Sequence, residues 1–302
     1  MMKALYDVCA PAKLNLFLHI TGRRPDGYHL LQSVFMLIDW CDTLHFELRP
    51  DGLISREDLG ASLPADDLIV RAARALQSAS GTHLGAHIGV QKQIPARAGM
   101  GGGSSDAAST LLALNRLWGL NLSADKLATI GLKLGADVPF FLFGRNAWVE
   151  GVGEKMTPVT LPKARFVVVK PPDGLETARI FSHPDLKRDT ETAIISGFAA
   201  NPLVNVYEYG RNDLQSVAQA LSPGVSQALG WLKRQGLNGK MTGSGSAVFA
   251  KVAQDLSGQP GSEAGLGLDL KSAPGAFEVR FCSSLDVHPL AGWAPSDERF
   301  IG

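Results

Sequence analysis

Apolar and polar residues alternate near the start of the chain as they do in a β-strand. Between residues 12 and 20 every even-numbered residue is apolar, whereas Lys13 and Asn15 are among the odd-numbered ones. Successive side chains of a strand point to opposite faces of its sheet. The pattern therefore predicts a strand with one apolar face, and it places Lys13 and Asn15 on the non-core face.

Further strands and helices are predicted from the same kind of pattern. Asp26 and Gly27 indicate a hairpin turn, and the segments LLQSVFMLIDW and TLHFELR are typical of two further strands. Apolar residues at helical spacing predict helices over 66–80, over 107–118 and over 123–135, with a strand over 84–92. After a Pro-containing connection, strands and helices alternate again from ARFVVVK onwards. This order predicts an α+β protein with domains at 1–160 and 161–302.

Composition and charge restrict the class of partner. The chain has 302 residues and is 45% hydrophobic, which is more than one core usually organises, so two domains are expected. Lys plus Arg total 29 and Asp plus Glu total 29, and no long basic run occurs. Nothing in this balance favours nucleic acid or an anionic membrane, so a small molecule is the expected partner.

The three cysteines, Cys9, Cys41 and Cys282, are far apart and form no C-x-x-C pair. We interpret them as buried, reduced thiols of a cytoplasmic protein, with a disulfide as the alternative. No segment approaches the roughly 18 apolar residues of a membrane span, which also favours the cytoplasm.

A glycine-rich segment, PARAGMGGGSSDAAS from Pro95 to Ser109, precedes a helical pattern directly. Glycine lets backbone N–H groups approach a ligand, and a helix N-terminus adds unpaired donors, so the segment suits a phosphate. It matches neither the Walker A nor the dinucleotide-binding pattern. The alternative is a flexible connection that enters a helix with Ser104 as its N-cap.

Three other features have a structural and a chemical interpretation. MTGSGSAVFA is a second glycine-rich stretch, which is either a turn or a segment that closes over the same phosphates or over the acceptor. Lys13 is either an ordinary strand lysine or a cation that balances phosphate charge. Asp137, in GADVPFF, is either a helix N-cap or a carboxylate that accepts a hydroxyl proton during phosphoryl transfer.

Four stretches, in order, resemble the GHMP kinases: PAKLNLFLHITGRRPDGYH, PARAGMGGGSSDAA, GADVPFF and MTGSGSAVFA. The resemblance covers about residues 8–252 and is most specific in the first and third stretches. It implies an N-terminal domain related to ribosomal protein S5 domain 2, a ferredoxin-like C-terminal domain, and a site between them. It also implies a kinase that phosphorylates the 2-hydroxyl of a cytidyl diphosphate alcohol in the non-mevalonate isoprenoid precursor pathway.

The same resemblance implies ATP and Mg²⁺ as cofactors. It also implies that the glycine-rich loop binds the triphosphate of ATP. The loop residues are Pro95, Ala96, Arg97, Ala98, Gly99, Met100, Gly101, Gly102, Gly103, Ser104 and Ser105. Ser105 is also the candidate Mg²⁺ ligand. In the family pattern an Asn precedes the helix on the adenine side, and this chain has Asp67 at that position.

The catalytic pair implied by the resemblance is Asp137, which takes the proton, and Lys13, which stabilises Asp137 and the developing charge. Tyr28 and His29 would hold the cytosine ring, with Phe181 as the opposing ring. Asn15 would contact the substrate side of the pair.

Two alternatives remain at this point. The first is another GHMP kinase, acting on homoserine, mevalonate or a sugar, which would have no use for Tyr28 and His29 together. The second is a non-catalytic nucleotide- or RNA-binding module, which would have no use for Lys13 and Asp137. A monomer or a weak homodimer is expected.

Overall fold

The structure, a computed structural model, describes residues 2–195, 198, 206–253 and 268–295. Its first sheet contains β1 (Ala4–Arg23), β2 (His29–Arg49), β3 (Ile54–Asp58), β4 (Gly85–Gln91), β5 (Ala147–Gly151) and β6 (Lys155–Pro158). The strand order is β3-β4-β2-β5-β6, and β1 pairs with β2. β3 and β4 are parallel, and the other pairs are antiparallel.

The second sheet has the order β10-β7-β9-β8. Its strands are β7 (Arg165–Lys170), β8 (Lys240–Met241), β9 (Val248–Val252) and β10 (Glu278–Ser283). The predicted domain boundary near residue 160 falls between the strands of the two sheets and stays a prediction. The stretch from Asp255 to Gly275 is rich in Gly, Ser and Pro, which predicts a long surface loop. Residues 255–267 of this stretch lie outside the described residues, and Leu270–Ser272 form a 3-10 turn.

Most helices of the described residues pack against one of the two sheets. They are α1 (Leu68–Ser80), α2 (Gly102–Leu117), α3 (Ala124–Leu132), α4 (Val138–Phe143), α5 (Thr177–Phe181), α6 (Gln215–Leu221) and α7 (Pro223–Arg234). α3 begins after Ser123, its predicted N-cap, and ends at Leu132 with Lys133 as its C-cap, shortly before Gly135, the residue predicted to follow the helix. Within the described ranges, none of the helices is long and apolar enough to cross a membrane.

The predicted hairpin is confirmed, but a single strand follows its turn where two were predicted. The segments LLQSVFMLIDW and TLHFELR both belong to β2, which has 21 residues, so the prediction of two separate strands was wrong. β2 pairs along its length with β1, and on its other edge first with β5 and then with β4. Its register against β1 shifts between Pro11 and Ala12, which is where a proline can interrupt a ladder.

Both faces of the β1–β2 ribbon are buried, because a layer packs on each side. Phe35 and Leu37 pack against α1 and α2, whereas Met36 and Trp40 belong to a core shared with β7 and β9. A third cluster fills the space between the second sheet and α6 and α7. The period-2 pattern of β1 was therefore correct, but the face that carries Lys13 is not exposed.

Two of the three cysteines are not the reduced thiols that were predicted. Cys9 and Cys41 form a disulfide, with their Cα atoms 5.8 Å apart, and both residues are only half-buried. They are 32 positions apart in the sequence, and the pairing of β1 with β2 brings them together. The separation of their Cα atoms lies in the usual range for a disulfide. Cys282 is a buried free thiol, as predicted.

Candidate active site

Two cavities meet beside the glycine-rich loop. The larger, of about 790 Å³, extends from the catalytic candidates to the β1–β2 hairpin, and the smaller, of about 510 Å³, follows residues 92–104. Both are lined by Lys13, Ser104, Asp137, Thr177 and Ser244. A group bound in one cavity can therefore reach a group bound in the other at these side chains.

Lys13 and Asp137 form an ion pair at this junction. The Lys13 ammonium lies 3.5 Å from Asp137 Oδ2 and 4.4 Å from the centroid of the Phe35 ring. The Lys13 side chain is 4% exposed and that of Asp137 is 34% exposed. Asp137 occupies the N-cap position of α4, but its side chain makes no capping hydrogen bond. The Asp137 carboxylate therefore does not cap α4, which was the structural alternative for this residue.

Asn15 holds the lysine in place. Lys13 Nζ donates to Asn15 Oδ1, and Asn15 Nδ2 donates to Ser33 Oγ at 3.0 Å. Ser33 Oγ in turn donates to the carbonyl oxygen of Phe17. This chain of donors fixes the orientation of the Asn15 amide. Asn15 also lines the larger cavity, although both ends of its amide are already bonded within the protein, and its contact with the substrate stays a prediction.

The loop from Pro95 to Ser104 lines the smaller cavity over its whole length. Gly99 and Gly101 adopt φ angles of 80° and 73°, in the region that favours glycine. Lys13 N donates to Met100 O at 3.0 Å, so the loop is attached to β1 beside the ion pair. α2 begins directly after Gly101, and Ser104 lies inside the helix instead of at its N-cap. The unpaired N–H groups of the first turn of α2 thus adjoin the cavity.

The second glycine-rich segment, residues 242–246, packs on the first. Ser246 N donates to Arg97 O, and Ala247 N donates to Ala98 O, each at 3.2 Å. Ser244 Oγ lies 2.7 Å from Thr177 Oγ1, at the junction of the two cavities. Residues 242–246 thus support the loop and also line the site.

A buried group of charges at the base of the loop was not found from the sequence. Lys92 donates to the carboxylates of Asp42 and Asp106, and Asp42 Oδ1 also accepts from the backbone of Gln93 and Ile94. Burial raises the pKa of Asp106 to about 7, with Lys92 opposing the shift and Asp42 adding to it. The sequence pointed to this group only through Asp42, an acidic residue in a long segment that is rich in apolar residues.

Three aromatic side chains surround the far end of the larger cavity. Tyr28, His29 and Phe181 all line it, and Tyr28 is 65% exposed. The His29 and Phe181 rings are tilted, with centroids 5.0 Å apart. Burial lowers the pKa of His29, and the charges of Arg188 and Arg23 lower it further. A neutral imidazole beside two other rings can hold a flat heterocycle.

Asp67 and Ser105 occupy less direct positions. Asp67 lines the smaller cavity and is the N-cap of α1, where its Oδ1 accepts from Val70 N at 3.1 Å and lies 2.8 Å from Arg56 Nη1. Ser105 is fully buried and, in the part of the chain that the structure describes, its hydroxyl has no hydrogen-bond partner. It lines neither cavity, so its position does not fit a Mg²⁺ ligand.

Comparison with known proteins identifies the family. The sequence matches the GHMP kinases N terminal domain over residues 67–145 and the GHMP kinases C terminal domain over residues 194–257. It is 70% identical to the 4-diphosphocytidyl-2-C-methyl-D-erythritol kinase of Albidiferax ferrireducens over 301 residues, covering 100% of this chain and 99% of the relative. The chain belongs to the GHMP kinase family.

Further comparisons find the same kind of GHMP kinase, a 4-diphosphocytidyl-2-C-methyl-D-erythritol kinase. The kinase of the same name from Polaromonas sp. is 65% identical and covers 97% of this chain and 95% of the relative. A crystal structure of a 4-(cytidine 5′-diphospho)-2C-methyl-D-erythritol kinase has a TM-score of 0.73 at 30% identity, covering 91% of this chain and 98% of that one. The resemblance found in the sequence motifs is therefore confirmed. A homoserine kinase from Cytophaga hutchinsonii, at 15% identity and a TM-score of 0.67, shares the fold.

Proposed function

We propose that this GHMP kinase transfers the γ-phosphoryl group of ATP to the 2-hydroxyl of 4-diphosphocytidyl-2-C-methyl-D-erythritol, in the non-mevalonate isoprenoid precursor pathway. The observation that carries the proposal is the Lys13–Asp137 ion pair at the junction of two cavities. One cavity has a glycine-rich phosphate loop, and the other has an aromatic end suited to a pyrimidine. Relatives named 4-diphosphocytidyl-2-C-methyl-D-erythritol kinase align with nearly the whole chain.

The chemistry follows from the positions of the two charged side chains. Asp137 accepts the proton of the substrate hydroxyl while the hydroxyl oxygen forms its bond to the γ-phosphorus and the bond to the β-phosphate bridging oxygen breaks. Lys13, held by Asn15, forms an ion pair with the Asp137 carboxylate and lies where negative charge develops. Because Lys13 is almost fully buried, its charge acts through a medium of lower effective dielectric constant than water.

The nucleotide is assigned to the smaller cavity. Backbone N–H groups between Pro95 and Ser104, together with the first turn of α2, supply donors for the triphosphate. Mg²⁺ associated with ATP stays a prediction, because Ser105 is buried away from both cavities. Asp67 is the candidate contact on the adenine side.

The substrate base is assigned to the aromatic end of the larger cavity. Tyr28 and Phe181 supply stacking faces, and His29 supplies a polar edge. We further assign the two domains to the S5 domain 2-like and ferredoxin-like folds, divided near residue 160. A cytoplasmic location and a monomeric or weakly dimeric state belong to the same proposal.

The test is a measurement of ADP release with purified protein against three alcohols: the cytidyl diphosphate alcohol, homoserine and mevalonate. We expect kcat/KM for the cytidyl substrate to exceed the other two by at least a hundredfold, and phosphorus NMR to show a new phosphate monoester on the alcohol. Asp137→Asn is the matched control for contaminating kinases. Preferential turnover of homoserine or mevalonate would contradict the proposal.

A further inference from the structure

Arg188 connects the two ring systems at the aromatic end of the larger cavity. Its Nε donates to His29 Nε2 at 3.1 Å. Its Nη2 donates to the carbonyl oxygens of Phe181, at 3.1 Å, and His183, at 2.8 Å, while Nη1 donates to Leu186 O at 2.9 Å. One guanidinium thus attaches the end of α5, which carries Phe181, to the first residue of β2.

This contact determines which nitrogen of His29 carries the proton. An arginine side chain has donors and no acceptor, so Nε2 of His29 must accept. A neutral imidazole whose Nε2 accepts carries its hydrogen on Nδ1. Among the described residues no group hydrogen-bonds Nδ1, and the His29 side chain lines the cavity. His29 therefore offers a ligand one donor and no acceptor.

Burial and the surrounding positive charges both disfavour protonation of the His29 ring. Burial lowers the pKa of His29 most, and the positive charges of Arg188 and Arg23 lower it further. Asp26, the acid of the adjacent turn, is paired with Arg24 at 2.6 Å. The groups around the ring thus disfavour a second proton.

We propose that Arg188 is a positioning residue that makes His29 an obligate Nδ1–H donor and so selects a pyrimidine ring with an unprotonated ring nitrogen. Cytosine has an acceptor at N3, whereas uracil has an N–H donor there, which an Nδ1–H would oppose. The inference rests on the proposed function, since it assumes that the cavity binds a cytidyl group. It gives a reason for cytidyl over uridyl selection that stacking by Tyr28 and Phe181 does not provide, because stacking tolerates every base.

The first test is spectroscopic and needs no substrate. Long-range ¹H–¹⁵N correlation spectra of ¹⁵N-labelled protein at pH 7.5, assigned with a His29→Gln variant, distinguish the two neutral tautomers. We expect His29 to be the Nδ1–H form in the wild type and to gain the Nε2–H form in Arg188→Met. Arg179→Met is the matched control, since Arg179 is an exposed residue of α5. A wild-type His29 in the Nε2–H form would overturn the proposal, whether or not the variants fold.

The second test is kinetic. In Arg188→Met we expect KM for the cytidyl substrate to rise about tenfold, the effect of one hydrogen bond worth about 1.4 kcal/mol, while kcat and KM for ATP change less than twofold. The preference for the cytidyl over the matching uridyl substrate should fall by a similar factor. Melting temperatures identify any variant that has simply unfolded.

The outcomes separate the two proposals. If the wild type does not phosphorylate the cytidyl substrate, the proposed function fails. If it does, and folded Arg188→Met keeps both the wild-type KM and the cytidyl preference, the role of Arg188 alone is overturned.

Discussion

Gly99 and Gly245 lie against each other, backbone to backbone, at the contact between the two glycine-rich segments. A Cβ on Gly99 would lie 2.7 Å from Gly245 N, and a Cβ on Gly245 would overlap Gly99 N. In both cases the added carbon would lie closer than 3.0 Å to the opposite backbone, which real Cβ atoms essentially never do. Part of the glycine content of each segment is therefore required by the other segment, in addition to any approach of phosphate.

This contact predicts that Gly245→Ala lowers the free energy of unfolding by about 1–3 kcal/mol, the usual cost of inserting a methyl group into a packed site. It should also raise KM for ATP, because the displaced atom belongs to the phosphate loop. Urea unfolding and steady-state kinetics measure the two effects. Gly60→Ala is the matched control, since no atom lies within 4 Å of a Cβ at Gly60. Equal behaviour of the two variants would mean that the loops are not packed as described.

Asp137→Asn should leave the fold intact and lower kcat by roughly 10²–10⁴, the usual scale for a lost general base. The structure adds a reason for the intact fold, because the Asp137 side chain makes no capping hydrogen bond to α4. Asp7→Asn, at an exposed residue of β1, controls for the loss of one negative charge. A sharp fall in melting temperature with normal kcat per folded molecule would make Asp137 a structural residue.

The buried carboxyl of Asp106 predicts a dependence of stability on pH. Its pKa is raised to about 7 in the folded protein, so between about pH 4 and pH 7 the folded state holds a proton that the unfolded state has released. The contribution of this carboxyl to stability therefore falls as pH rises through that window, with a slope of at most about 1.4 kcal/mol per pH unit.

Asp106→Asn should remove this component, because an amide does not ionise and can still accept from Lys92. Its free energy of unfolding relative to the wild type should increase from pH 4 to pH 7 and level off above. Urea unfolding at unit pH intervals provides the measurement, with Asp7→Asn as the control. A constant difference across the window would show that Asp106 is ionised throughout.

Local pattern predicted the elements of the fold better than it predicted their surroundings. The alternation in β1 was sufficient to place Lys13 and Asn15 on one face of a strand. It could not show that this face is buried, because Phe35 and α2, which contribute to the covering layer, come later in the chain. Cys9 and Cys41 were misinterpreted for the same reason, since only strand pairing brings them together.

Residues that line the two cavities were predicted from the sequence where they belong to a motif, whereas Arg188 was not, because only its contacts single it out. Asp137 and the glycine loop lie in motifs, and both line the cavities. Arg188 lies in an irregular polar segment with no periodicity, and its importance appears only when its four hydrogen bonds are seen. A long side chain that bonds mostly to carbonyl oxygens leaves no pattern in a sequence.

Asp67 provides a prediction about nucleotide selection. Its Oδ1 is occupied by Val70 N and by Arg56, so Oδ2 is the oxygen left for a base in the smaller cavity. An ionised carboxylate only accepts, so it suits the 6-amino group of adenine and opposes the 6-oxo group of guanine. If the contact is buried, the mismatch costs about 1–3 kcal/mol, which corresponds to roughly a ten- to a hundredfold preference for ATP over GTP.

Asp67→Asn should reduce that preference, because an amide can also donate. The fold should tolerate the change, since Asn is as good an N-cap as Asp and retains the bond to Val70 N, and only the charge opposite Arg56 is lost. The measurement is kcat/KM for ATP and for GTP in both proteins, with Asp66→Asn as the control for the loss of one charge beside the same helix. Asp66 is well exposed and pairs with Arg74 at 3.6 Å. An ATP/GTP ratio that is unchanged in Asp67→Asn would restrict Asp67 to capping α1 and pairing with Arg56, and adenine selection would then have to come from other residues of the smaller cavity.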